Sequence, residues 1–283
     1  MISKELYRNY LLQLQDLYSL QEATVITDWV FESIAQISRA DLIKNPELNL
    51  PENSKAQLQS AFQQLMQHRP VQYVLGLAWF YRLAFKVNEQ VLIPRPETEE
   101  LVNLVIGLRK SLLTDPAILD IGTGSGCIPI ALKKHMPAAR VSSIDISKHA
   151  LSLATENAHT HNTDIHFIEM DFLDESKWDT LPDFDIIVSN PPYIPESEKQ
   201  LIAPNVLAYE PHAALFVPDN DPLLFYKKIA AFAQTHLKPN GSICMEIHEN
   251  FSDAVAELFK QSYPQVVIKQ DGYGKNRMIL VTT

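Results

Sequence analysis

Apolar residues recur at helical spacing three times near the start of the chain, in "LYRNYLLQLQDLYSL", "TVITDWVFESIAQIS" and "KAQLQSAFQQLMQ". Between the last two, "KNPELNLPENS" is turn-rich, with Pro46 and Pro51 as breakers. The pattern predicts a small all-α domain over residues 1–70. Residues 71–92, "VQYVLGLAWFYRLAFKVNEQVL", are aromatic and β-branched and predict a β-hairpin linker. From Ile93 onward strands alternate with helices. The predicted strands are "AILDIG", "RVSSIDIS", "IHFIEMDF", "FDIIVSN", "GSICMEIH", "QVVIKQ" and "RMILVTT", seven in all. Such alternation predicts an α/β domain over 93–283, a doubly wound, mostly parallel sheet with helices on both faces. The turn-like "DGYGKN" between the last two strands would add an antiparallel edge.

Composition narrows the class. The 283 residues are 46% hydrophobic and 20% charged, as in an ordinary soluble globular protein. No apolar run approaches the roughly 18 residues that span a bilayer, so no membrane association is expected. Lys4, Glu5, Arg8 and Asp16 keep the start from reading as a signal peptide. Cys127 and Cys244 sit inside apolar patterns, as reduced core cysteines of a cytoplasmic protein do. Neither they nor the histidines show metal-ligand spacing, so no metal is expected. The net charge of −10, with basic residues clustered only as pairs such as Lys133-Lys134 and Lys227-Lys228, argues against direct nucleic-acid binding.

Against that background one glycine cluster stands out. Three of the eight glycines, Gly122, Gly124 and Gly126, fall in "DIGTGSG", directly after a strand and at the opening of a helix. Glycine there permits a sharp turn and close approach of a ligand, and the helix start offers N–H groups to an anion. Pro129 suits the first helical turn, where a missing N–H costs little. Thr123 and Ser125 complete the loop. The spacing is G-x-G-x-G, not the G-x-G-x-x-G of dinucleotide sites, so no pyrophosphate is implied. Asp145, ending the next strand, stands where a carboxylate accepts from both ribose hydroxyls. Asp171 and Phe172 end the third strand, where they would meet an adenine edge and face. An adenosine carrying an amino-acid end suits this set.

The second feature is "FDIIVSNPPYIPE", in which a buried strand stops at Asn190, Pro191, Pro192 and an exposed-looking Tyr193. Two prolines cannot extend a ladder or a helix. If this strand neighbours "ILDIG", Asn190 faces the same crevice as the glycine loop. The Asn190 side-chain carbonyl and the Pro191 backbone carbonyl then form two fixed acceptors for an –NH₂ group, with Tyr193 as a flat support. A planar amide or aryl amine is a poor nucleophile. Acceptors holding both of its hydrogens favour the form in which nitrogen gains positive charge while attacking an electrophilic methyl.

Together, "DIGTGSG", "SNPPYI", "YEPHAAL" and "IPRPETEEL" resemble the PrmC/HemK family of release factor glutamine methyltransferases, and the resemblance runs along nearly the whole chain. It implies a Rossmann-like methyltransferase domain and a helical substrate-recognition domain. It implies S-adenosyl-L-methionine as cofactor and, as substrate, the glutamine amide of the Gly-Gly-Gln motif of peptide chain release factors. By motif, residues 122–126, Asp145, Asp171, Phe172 and Asn190 would hold the cofactor. Asn190, Pro191, Pro192 and Tyr193 would hold the amide, with Asn190, Pro191 and Tyr193 as the catalytic set. The Asn-Pro-Pro-Tyr motif alone is shared with DNA adenine and RNA guanine amino-methyltransferases, which is the alternative reading. Pro96 with Glu97, Glu99 and Glu100 makes a good helix start. Any site role for Arg95, Glu97, Thr98 or Glu210 stays open at this point.

Overall fold

The computed structural model describes residues 3–108 and 115–283. Two compact units emerge, one running through Leu77 with residues 203–209 added, the other formed by 78–202 and 210–283.

The first unit holds α1 (Ser3–Leu14), α2 (Leu20–Val30), a π-turn at Phe31–Ala35, α3 (Arg39–Lys44), α4 (Glu52–Leu65) and α5 (Val71–Leu75). Its core follows the helical period. Tyr7, Tyr10 and Leu14 of α1 meet Ala23, Ile26 and Val30 of α2 and Leu58, Phe62 and Leu65 of α4. The Tyr10 and Phe62 rings stack at 4.2 Å. Ser19 caps α2, and Ser38 with Asp41 forms a capping box on α3, so polar side chains satisfy helix-start N–H groups.

The 71–92 stretch departs from the predicted hairpin linker. Residues 71–75 are helical, because Pro70 opens a turn that Gly76 closes at φ +66°. The hairpin is confined to β1 (Leu77–Phe80) and β2 (Leu83–Lys86), joined by Tyr81 and Arg82 at φ +51° and +61°. Left-handed conformation at both linking residues is the two-residue turn whose twist matches paired strands. Phe80 and Phe85 of this hairpin are buried in the core of the second unit, so 78–86 is part of that unit's packing.

The second unit continues with α6 (Pro96–Gly107), β3 (Ala117–Ile121), α7 (Cys127–His135), β4 (Arg140–Asp145), α8 (Lys148–Thr160), β5 (His166–Glu169), β6 (Phe184–Ser189) and β7 (Ile194–Pro195). After α9 (Pro204–Tyr209), which belongs to the helical unit, come β8 (Phe216–Val217), α10 (Leu224–His236), β9 (Leu237–Glu246), α11 (Ser252–Lys260), β10 (Gln265–Gln270) and β11 (Asn276–Thr282). Seven strands form one sheet in the order β10-β11-β9-β6-β3-β4-β5. The β9-β6-β3-β4-β5 run is parallel, and β11 pairs antiparallel with both β9 and β10, giving the expected antiparallel edge.

Strands β3 and β6 are buried throughout, as parallel strands covered on both faces must be. Alternate residues divide between two cores. Leu119, Ile121, Ile187 and Ile243 face one layer with Ile229 and Phe232 of α10 and Phe259 of α11. Ile118, Ile186 and Val188 face the other with Leu101 and Val105 of α6 and Ile130 of α7. Cys127 and Cys244 lie in this second layer, and burial pushes each thiol up to about 12. They are inert packing groups. No helix among the described residues is long and apolar enough to cross a membrane.

Candidate active site

The chain passes β3, β4 and β5 in one direction, then returns to place β6 on the other side of β3. Such a reversal opens a crevice beyond the carboxyl ends of the two strands. The register makes those ends level. Ile121 pairs with Ser189, Ile121 with Ile144, and Ser189 with Met245. The next residues, Gly122, Asn190, Asp145 and Glu246, therefore form a row along one edge of the sheet. The Ser189 hydroxyl donates to the Ile121 carbonyl at 2.7 Å and ties the β3 and β6 ends together.

On the β3 side the loop closes on itself. Gly122 and Thr123 N–H groups both donate to the Ile144 carbonyl, at 2.9 and 3.1 Å. Gly124 N–H donates to Asp145 Oδ2 at 2.9 Å, while Asp145 Oδ1 accepts from Ser147 N–H at 2.8 Å. Each carboxylate oxygen keeps a lone pair for a further donor. Gly122, Gly124 and Gly126 have φ of +83°, +51° and +82°, which favours glycine at all three positions. Their surroundings differ. A Cβ on Gly122 or Gly124 would meet no protein atom within 4 Å, whereas one on Gly126 would lie 3.1 Å from both Ala154 Cβ and Ile130 Cδ1. The first two glycines face open space; the third permits α7 to pack against α8.

Beneath the loop lies Asp120, fully buried, whose Oδ2 accepts from Thr123 Oγ1 (3.0 Å) and Ser143 Oγ (2.5 Å). Burial raises its carboxyl from the ordinary 3.8 to about 7 against the effect of those bonds. Asp120 Oδ1 and Ser125 Oγ are buried without a hydrogen-bond partner. Orphaned polar atoms of this kind call for an explanation, and a polar ligand over the glycine turn is one. No side chain caps the start of α7 at Gly126. The loop therefore fits a small polar ligand on observations independent of its motif. Thr123, by contrast, turns its side chain inward to Asp120 and is nearly buried, so only its backbone faces the loop.

Two expectations change at β5. The strand ends at Glu169, so Asp171 and Phe172 lie in the loop after it. Asp171 Oδ1 accepts from Leu173 N–H at 2.9 Å. Phe172 is 5% exposed, stacked on Trp178 at 5.4 Å and edge-on to Phe232. With that face covered, Phe172 is a core side chain rather than an open stacking face.

On the β6 side, side chains carry the organisation. Asn190 Nδ2 donates to Thr98 Oγ1 at 3.1 Å; Thr98 Oγ1 donates to Glu246 Oε2 at 2.7 Å; and the Tyr193 hydroxyl donates to Glu246 Oε1 at 2.8 Å. Tyr193 is thus not the exposed ring the sequence suggests. It is half-buried, its hydroxyl points inward, and its ring meets His248 edge-on at 5.9 Å. Burial, then the Glu246 charge, raises the Tyr193 phenol well above its ordinary range. Burial also raises Glu246, opposed by the bonds from Thr98 and Tyr193 and by the Arg277 charge. Pro191 is buried and Pro192 half-buried.

Glu210, 3% exposed, accepts from Arg95 at 2.5 Å and from the Ile93 N–H at 3.1 Å. It pins the segment before α6, which in turn presents Thr98. The motif "YEPHAAL" is thereby a loop organiser. Thr98 and Glu246 belong to the site by contact; sequence reasoning leaves the role of Thr98 open and does not single out Glu246. Glu246 closes β9 as an acidic residue after an apolar run, the same signal that singles out Asp145, and that signal could have found it.

Residues 103–214 match the family model of the methyltransferase small domain, and residues 5–76 match that of the PrmC N-terminal domain. Fold, glycine turn and family model together define a methyltransferase. A release factor glutamine methyltransferase of Flavobacterium psychrophilum is 47% identical over 255 residues, 89% of each chain. Another, of Streptococcus pneumoniae, is 42% identical over 256 residues, again 89% of each. The solved hMettl16 catalytic domain in complex with the MAT2A 3′UTR hairpin 6 matches with a TM-score of 0.56 over 83% of this chain and 82% of that one; at 15% identity this is a likeness of fold alone. The chain belongs to the release factor glutamine methyltransferase family.

Proposed function

We propose that this protein transfers a methyl group from S-adenosyl-L-methionine to the side-chain amide nitrogen of the glutamine in the Gly-Gly-Gln motif of peptide chain release factors, in the cytoplasm. The observation that carries the reading is the level placement of Asn190 beside the glycine turn across the β3–β6 switch, with its amide nitrogen already engaged by Thr98.

In this reading residues 122–126 and Asp120 receive the amino-acid end of the cofactor, Asp145 the ribose hydroxyls, and Asp171 the adenine edge, with Phe172 as support from below. When bound, the cofactor supplies an electrophilic methyl on a sulfonium. Asn190 Oδ1 and the Pro191 carbonyl accept the two amide hydrogens of the substrate, and the Tyr193 ring lies against the amide plane. As nitrogen gains positive charge, both acceptors bind it more tightly than they bound the neutral amide, so their contribution appears in kcat. Tyr193 keeps its proton at neutral pH and its hydroxyl is committed to Glu246, so it supplies a surface rather than a base. The proton of the N-methylated amide, strongly acidic once nitrogen is cationic, leaves to water. The helical unit serves substrate recognition in this account.

Transfer of label from methyl-labelled S-adenosyl-L-methionine tests the reading. Label is expected in purified release factor; label in total RNA or DNA with none in release factor would overturn it in favour of a nucleic-acid amino-methyltransferase.

A further inference from the structure

The bonds that converge on Glu246 have a fixed direction, and that direction reaches Asn190. Burial raises the Glu246 carboxyl, while the bonds from Thr98 and Tyr193 and the Arg277 charge oppose that rise and favour the ionised form, which only accepts hydrogen bonds. Both hydroxyls facing Glu246 must therefore donate to it: Thr98 at 2.7 Å and Tyr193 at 2.8 Å. A threonine hydroxyl has one proton. Once Thr98 has given it to Glu246, its oxygen can only accept from Asn190, so Asn190 must turn its NH₂ toward Thr98. The Asn190 carbonyl oxygen is then presented on the opposite side. Glu246 and Thr98 are both 2% exposed, so no water competes for these places.

We infer that Glu246 is a positioning residue for the methyl transfer, acting through Thr98 to hold the Asn190 amide with its carbonyl oxygen toward the substrate nitrogen. This rests on the reading of Asn190 as an acceptor for the substrate amide. The two orientations of an asparagine side chain have nearly the same shape, so packing selects between them weakly. In the flipped form Asn190 would offer NH₂ to the substrate NH₂, two donors face to face, and the site would repel the nitrogen it must hold. A buried charge costs desolvation, and an apolar residue of similar volume is often neutral or stabilising in its place. Ordering a polar site is a reason to retain the carboxylate, and Arg277 of β11 compensates part of its charge. The charged and titratable groups facing it are Tyr193 in the segment between β6 and β7, Arg277 of β11, Glu97 of α6 and Tyr226 of α10.

Three variants test the relay. Glu246→Met keeps the volume and removes the acceptor, so the freed Thr98 proton turns to the Asn190 carbonyl. It should lower kcat by about 10- to 100-fold, the size of effect expected from misorienting a reacting contact, with cofactor affinity and thermal midpoint held or raised. Thr98→Val should lose a similar factor, and Thr98→Ser, which keeps the hydroxyl, should restore turnover to within about twofold. Because both residues act through one amide, Glu246→Met with Thr98→Val should be no slower than the worse single variant. Losses that multiply, or wild-type kcat in both single variants, would overturn the relay. A turnover-independent readout separates this from the function itself: the Asn190 side-chain NH₂ resonances, assigned by their loss in Asn190→Ala. Two widely split proton signals are expected in wild type and a collapse of the splitting in Thr98→Val. Unchanged splitting there sinks the relay even if the wild type methylates release factor. Wild-type protein that shows the collapse on Thr98→Val but methylates no release factor leaves the relay standing and refutes the proposed substrate.

Discussion

At the β3 end of the crevice the loop is built almost entirely from one stretch, residues 120–126, closed by backbone bonds to Ile144 and a single carboxylate, Asp145. At the β6 end the Asn190 amide is set by Thr98, 92 residues earlier, and Thr98 by Glu246, another 148 residues along. The first side is complete once β3 and β4 have paired. The second side is complete only when α6, β6 and β9 have come together. A ligand-holding turn and a substrate-polarising amide thus meet in one crevice with different dependences: the first on glycine conformations, the second on long-range side-chain bonds.

Separate damage to each side sharpens this comparison. The largest effect is expected from Asn190→Ala, with kcat down about 100- to 1,000-fold, the usual loss for one acceptor or donor aimed at developing charge. Cofactor affinity measured by calorimetry should stay within about threefold; equal losses in both would merge the two sides into one. Asp145→Ala should do the reverse, weakening cofactor binding by about 10- to 100-fold, the worth of charge-assisted hydrogen bonds, with kcat at saturation little changed. A wild-type cofactor affinity would remove Asp145 from the ribose.

Smaller effects separate the glycines. Gly126→Ala adds a clash with Ala154 and Ile130 to the left-handed strain, whereas Gly124→Ala meets only the strain. Gly126→Ala should therefore cost about 1–3 kcal/mol more in thermal unfolding, while Gly124→Ala should weaken cofactor binding out of proportion to its stability loss. The reverse order would show that the first glycines, not the third, carry the packing.

The smallest change at neutral pH is expected at Asp120. Its carboxyl is raised to about 7 in the folded protein, so between pH 4 and 7 the folded state holds a proton that the unfolded state has released. Stability contributed by this group is full below pH 4, declines as pH rises toward 7, and is constant above. Asp120→Asn should remove that slope. At pH 7 its net effect should be only about 1 kcal/mol, since the relief of burying a charge is offset by weaker bonds from Thr123 and Ser143. Unfolding midpoints of both proteins across pH 4 to 8 check the sign; parallel curves would contradict it.

The same contrast explains what could be seen in the amino-acid sequence. The order of seven strands and the glycine turn were legible because hydrophobic period and glycine spacing are local properties. The company of Asn190 followed on one condition, that its strand neighbours β3, which the register meets. Thr98 stayed open, because a well-formed helix start accounts for it without a site role, and Glu246 was passed over although an acidic residue closing an apolar strand is a readable signal. The inward turn of Tyr193 and the burial of Phe172 escaped for a related reason. Both side chains are claimed by partners, Glu246 and Trp178, that lie far away or in a connecting segment. The helical stretch 71–75 was read as strand because five residues, four of them apolar or aromatic, are too few to show a clear period.

The central claim is that this crevice methylates an amide nitrogen of glutamine, and mass spectrometry of a release factor tests it most directly. Purified release factor is incubated with S-adenosyl-L-methionine and either wild-type protein or Asn190→Ala, then digested and sequenced by fragmentation. The account predicts one added methyl group, on the side chain of the Gly-Gly-Gln glutamine, with wild type, and none with the variant over the same time. An unmodified glutamine with wild-type protein, or a methyl found on any other residue, would contradict it.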